Sequence, residues 1–143
     1  MSRSRRAILL CVALLGLAAS LAADRQKPVD PKDASTVVRI TMTGFQKVYE
    51  AGEVFVVDVR DAQSFQLGRI PGAISVPLAD VDRRAEEIKA KAGTKIVVTY
   101  CSCPAEHTSA EAGLILHKHG VKDVRALVGG YLDWVRSGGK VER

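Results

Sequence analysis

Cys101, Ser102, Cys103 and Pro104 stand where an apolar run, 95-KIVVTY-100, gives way to a helix-like pattern. Thiols at the end of a buried strand and just ahead of a helix have a specific electrostatic setting. The backbone N–H groups of the loop converge on one spot, and the helix adds its unpaired amides and the positive end of its dipole. A thiolate is stabilised there as a nucleophile, and the same groups hold an anionic or polarised substrate beside it. Ser102, Pro104, Ala105, Glu106, His107 and Thr108 would form that cradle. A bridge between cysteines two positions apart closes a tiny ring and adds little loop entropy. The pair is therefore poor structural material and better suited to chemistry. Cys101, Cys103 and His107 also offer two sulfurs and an imidazole to a soft metal such as copper(I) or zinc, although no fourth ligand is evident.

These residues need a scaffold, and the patterning supplies one. Val37–Ile40 reads as a short strand, and Thr41 and Thr43 are placed to cap a helix over 44–51 that Gly52 ends. Val54–Val59 is a mainly apolar run of the kind found in a strand buried on both faces. Asp61 caps a short helix to Leu67, turn chemistry follows at Gly68–Ala73, and Ala73–Val76 is a brief strand. A charged helix spans Asp80–Ala92, and Lys95–Tyr100 is the second strongly buried strand. A helix over Thr108–His119 ends at Gly120, Val124–Leu127 is the last strand, Gly129-Gly130 is a tight turn, and Tyr131–Ser137 is a short terminal helix. His117 and His119 fall in a last helical turn and read as surface residues. Strands alternating with helices predict an α/β fold with a mostly parallel central sheet, in which ligands collect beyond the carboxyl ends of the strands. The cysteine loop lies at that edge.

The chain has 143 residues, enough for one domain with one core. Its first 23 residues, MSRSRRAILLCVALLGLAASLAA, follow the layout of a secretory signal: a basic start, a short apolar run and small residues at the end. Export, with the bacterial periplasm as destination, is the expectation; an uncleaved N-terminal anchor is the alternative. Cys11 follows Leu10, where lipid attachment would want a small residue. Residues 24–35, DRQKPVDPKDAS, read as a linker, and 36–143 as the domain. Arg3, Arg5 and Arg6 are three of the 21 basic residues, so the remainder carries 18 bases against 16 acids, a net of +2. With no basic run left, nothing points to nucleic acid. Membrane contact is expected only through the N-terminal segment, if that segment is uncleaved.

VFVVDVRDAQSFQLGRIPGAISVPL resembles the first signature of the rhodanese family, a strand ending Asp-x-Arg and then Gly-x-Ile-Pro-Gly-Ala. IVVTYC resembles that family's strand into its active-site cysteine, and LVGGYLDWVRSGGKV its closing segment. The similarity spans residues 37–142. It implies a rhodanese-like fold of about five strands and, without any cofactor, a cysteine that takes sulfane sulfur as a persulfide. The donor would be a small sulfur-containing anion such as thiosulfate, or a persulfide. The acceptor would be cyanide or a thiol, a protein thiol included. Asp58 and Arg60 would brace the site, with Arg60 also placed to attract an anionic donor. Arg69 stands where the family usually has histidine.

Two anchors disagree on the nucleophile. Counting forward from the strand gives Cys101 and a loop two residues longer than the family's; counting back from Ser109-Ala110 by the family's loop length gives Cys103. Cys101 is favoured because Pro104 beside Cys103 has no N–H to give. Cys103 is then the alternative nucleophile or a resolving thiol that attacks a persulfide or sulfenate on its neighbour. Glu106 either opposes thiolate and thiosulfate by repulsion or accepts loop N–H bonds and holds the loop's shape. A phosphatase-type loop wants an arginine to clamp the oxyanion, and no Arg or Lys lies between Cys101 and Glu111. A catalytically silent rhodanese-like binding domain remains the other alternative.

Overall fold

The apolar runs at Val54–Val59 and Lys95–Tyr100 become neighbouring inner strands of one sheet. A computed structural model of the chain describes residues 27–143. Residues 1–23, read above as an expected export signal, and the start of the expected linker lie outside them. The strands are β1 (Val38–Ile40), β2 (Val54–Asp58), β3 (Ile74–Ser75), β4 (Ile96–Tyr100) and β5 (Val124–Leu127). Their order is β1-β5-β4-β2-β3, and every neighbouring pair is parallel. The α/β reading with a five-stranded sheet therefore holds, and all of the sheet is parallel rather than most of it. β4 is central, as its unbroken apolar character implies.

Helices α1 (Met42–Glu50), α2 (Ala62–Leu67), α3 (Leu78–Ala92), α4 (His107–Lys118) and α5 (Gly130–Arg136) cover the sheet. Local chemistry starts several of them. The Thr41 side chain accepts the Gly44 N–H, and the Asp61 side chain accepts the Ser64 N–H. Such caps are worth about 1 kcal/mol each. The charged helix begins at Leu78, two residues before Asp80, because Pro77 already fixes an extended entry and acts as the N-cap. The linker is not featureless in its described part. Ala34–Thr36 forms a 3-10 turn, and Val29 and Ala34 pack against Val37, Ala110, Leu114 and Ala126.

Strand alternation divides the core in two. Val57, Val59, Val97 and Cys101 face α3 and α4, joining Val81, Ala85, Ile88 and Leu116. Val56, Val98 and Tyr100 face the other way, with Phe45 of α1 and Trp134 of α5. Phe45, Tyr49 and Trp134 meet one another at ring-centroid distances of 5.3–5.7 Å. Adjacent residues at the end of β4 thus serve opposite faces. Tyr100 points to one and Cys101 to the other.

Candidate active site

Cys101 is the first residue after β4 and is only 3% exposed. Its backbone is held from the side: the Tyr131 N–H donates to the Cys101 carbonyl at 2.9 Å. This approach depends on the Gly129-Gly130 turn. Gly130 has φ +52°, and a β-carbon there would lie 2.1 Å from the Cys101 carbonyl oxygen. Any side chain at Gly130 would push the start of α5 off the strand end.

The loop that follows turns back on itself. A short 3-10 turn at Pro104–Glu106 leads directly into α4. Ala105 and Glu106 both sit in the left-handed region, at φ 55° and 54°. Each such residue costs roughly 1–3 kcal/mol and persists only where its surroundings enforce it. Two contacts do so here. The Glu106 carboxylate accepts the Gly129 N–H at 2.8 Å, and the Ser109 hydroxyl donates to the Glu106 carbonyl at 3.1 Å. Glu106 therefore holds the loop's shape by binding the neighbouring turn rather than amides of its own loop.

The consequence is that both sequence anchors are obeyed. Cys101 stays at the strand end, while Cys103 faces the first turn of α4, where the Thr108 N–H lies 3.5 Å from its Sγ. The Cys103 N–H points at Cys101 Sγ at 3.4 Å, and the Ser109 hydroxyl lies 3.8 Å from the same sulfur. The two sulfurs are joined as a disulfide with a Cα–Cα separation of 5.7 Å. Cys103 is half-buried and is the more exposed of the two. Ser102, Pro104, Ala105 and His107 are exposed, and Glu106 and Thr108 half-buried. Among the described residues no three His, Cys, Asp or Glu side chains converge as a metal-ligating set, and the Cys101, Cys103 and His107 combination is not assembled.

Asp58 and Arg60 lie on the other face of the sheet. The Asp58 carboxylate, fully buried, accepts from Arg60 Nε at 2.9 Å and Nη2 at 2.6 Å. It also accepts the Tyr100 hydroxyl at 2.6 Å; β2 and β4 pair these two residues directly in register. Arg60 Nη2 further donates to the Gly68 carbonyl at 2.7 Å, and the guanidinium stacks over the Tyr131 ring at 4.0 Å. Burial works against the Arg60 charge, but its bonds to Asp58 outweigh this and hold its pKa above the ordinary value. Burial and the adjacent Asp58 charge likewise push the Tyr100 phenol far up, so it remains a neutral donor. Arg69 pairs with Glu142 at 2.5 Å and lies over Phe65.

The sequence assigns no site role to Tyr100, Ser109 or the Gly129–Glu106 contact, and marks Tyr131 only as a core or rim aromatic of the last helix. Only the first left a signal: an acid and a tyrosine each end a buried strand. Beside the loop, a depression is lined by Lys32, Arg39, Ala105, His107 and Glu111 among others. Another, lined by Tyr49, Trp134 and Lys140, contains no residue of the cysteine loop.

Comparisons with known proteins agree with this geometry. The chain is 35% identical over 108 residues to a helix-turn-helix-type transcriptional regulator of Mycobacterium tuberculosis, covering 76% of this chain and 44% of that protein. It is 30% identical over 112 residues to the putative sulfur carrier protein YrkF of Bacillus subtilis, covering 78% and 56%. The chain thus spans about half the length of these curated relatives. Among solved structures, the BH2092 protein from Bacillus halodurans superposes with a TM-score of 0.65 at 28% identity, over 76% of this chain and 78% of that one. The family profile described as the Rhodanese-like domain matches residues 41–137, from the cap of α1 to the end of α5, and the chain belongs to that family.

Proposed function

We propose that this chain is a sulfurtransferase-type domain that carries sulfane sulfur as a persulfide on Cys101. The observation supporting this is the position of Cys101 at the carboxyl end of the central strand, with the Cys103 N–H directed at its sulfur. A thiolate there attacks the outer sulfur of the donor. With thiosulfate, the new S–S bond forms on Cys101, the donor's S–S bond breaks, and sulfite leaves with the electron pair. An acceptor thiolate then attacks the outer sulfur and regenerates the Cys101 thiolate. A relative named as a putative sulfur carrier supports the same class of chemistry. Lys32 and Arg39 beside the loop favour an anionic donor. The basic and apolar start of the sequence supports export to an oxidising compartment, where a dithiol needs a reducing partner before each loading.

The test uses protein whose disulfide has first been reduced. After exposure to thiosulfate or a low-molecular-weight persulfide, Cys103→Ala is expected to gain one sulfur that cyanide removes, and Cys101→Ala none, by intact mass. A Cys103→Ala protein that gains no sulfur from either donor would leave only a binding role.

A further inference from the structure

We infer that Cys103 resolves the Cys101 persulfide, releasing the carried sulfur as hydrosulfide and closing the Cys101–Cys103 disulfide. The chain would then be a persulfide reductase driven by an external dithiol, and not only a donor to acceptor thiols. The inference rests on the persulfide reading above.

Three observations carry it. The structure holds the product of the step, with the two sulfurs bonded across the single residue Ser102. The left-handed pair Ala105 and Glu106, clamped through Gly129 and Ser109, folds the loop so that Cys103 returns over Cys101. The Thr108 N–H, in the first turn of the twelve-residue α4, faces Cys103 Sγ and favours negative charge on the attacking sulfur. A bridge this short has little value as a staple. Its placement at the carboxyl end of the central strand, ahead of α4, is better explained by chemistry.

The step balances without an oxidant. The Cys103 thiolate forms a bond to Cys101 Sγ, and the bond from that sulfur to the outer sulfur breaks. The outer sulfur leaves with the electron pair and takes up the proton released when Cys103 ionised, departing as HS⁻. The sulfane sulfur is reduced, and the two cysteine thiols are oxidised to the disulfide. An external dithiol then attacks Cys103, the more exposed sulfur, and Cys101 leaves as a thiolate facing the Cys103 N–H. The second thiol of that reductant closes its own disulfide and frees Cys103.

The full chain, reduced, freed of reductant and kept anaerobic, would be given one thiosulfate or one glutathione persulfide per chain. Wild type is expected to release one hydrosulfide, lose both thiols and retain no added sulfur. Cys103→Ser and Cys103→Ala are expected to keep the added sulfur and release hydrosulfide at least about tenfold more slowly. If wild type keeps the extra sulfur with its Cys103 thiol still free, the resolving role is overturned while the persulfide reading stands. If neither Cys103 variant gains sulfur and wild type releases no hydrosulfide, the persulfide reading falls and this inference with it.

Discussion

Tyr100 and Cys101 are adjacent, yet they do opposite work because a strand turns successive side chains to opposite faces. Cys101 is presented to the loop and α4, whereas Tyr100 joins a buried network with Asp58, Arg60 and the Ile70 N–H. Nε and Nη2 of Arg60 are bonded to Asp58 and Gly68, which fits a brace. Tyr100→Phe would remove one hydrogen bond to a buried carboxylate and leave the Ile70 N–H without its partner. The expected loss is about 2 kcal/mol, read as a lower denaturant midpoint with an unchanged slope. Persulfide loading below that midpoint is expected to stay at the wild-type level. A selective loss of loading, with stability intact, would instead place this network in the chemistry.

At the scale of elements, the cysteine loop is shaped by its neighbours. The 3-10 turn and the start of α4 meet the Gly129-Gly130 turn after β5, and Glu106 fastens one to the other. Glu106→Ala removes the acceptor for the Gly129 N–H and should release the left-handed pair. Loading of sulfur on Cys101 is then expected to persist, while hydrosulfide release and disulfide closure slow by roughly tenfold, since misplacement of a reacting group by about 1 Å can cost more than that. Glu106→Gln keeps an oxygen acceptor and should restore the rate. A negative charge essential in itself would show the opposite, with Gln as impaired as Ala.

Across the whole molecule, His119, the C-cap of α4, joins that helix to the middle of α3. Its Nε2 lies 2.9 Å from Asp82 and its Nδ1 3.6 Å from Glu86, while its carbonyl accepts from Lys89. The hydrogen bond to Asp82 leads the causes that raise the imidazole pKa above its usual value. A group whose folded pKa is raised stabilises fully below its unfolded pKa and loses that contribution as pH rises through the folded one. Stability is therefore expected to fall as pH increases from about 6.5 upward. His119→Gln should flatten that part of the profile of unfolding midpoint against pH. An equally steep slope in the variant would assign the dependence to another group.

The sequence alone determined most of the scaffold, because the apolar runs of β2 and β4 and the caps at Thr41 and Asp61 are local signals. Alternating strands and helices then leave few topologies, and the cysteines were legible as a candidate site since they follow the central strand. Element ends were less legible: Pro77 started α3 ahead of Asp80, and α4 began at His107 rather than Thr108. Only the tertiary structure decided how the loop resolves its two anchors. That outcome depends on Gly129 donating to Glu106 and Tyr131 to Cys101, across sequence separations of 23 and 30 residues that no local pattern encodes. The same holds for the brace, since Asp58 meets Tyr100 through the register of β2 with β4. Spacing along the chain could count the residues between Cys101 and Ser109, but the packing of the neighbouring turn is what folds Cys103 back onto Cys101.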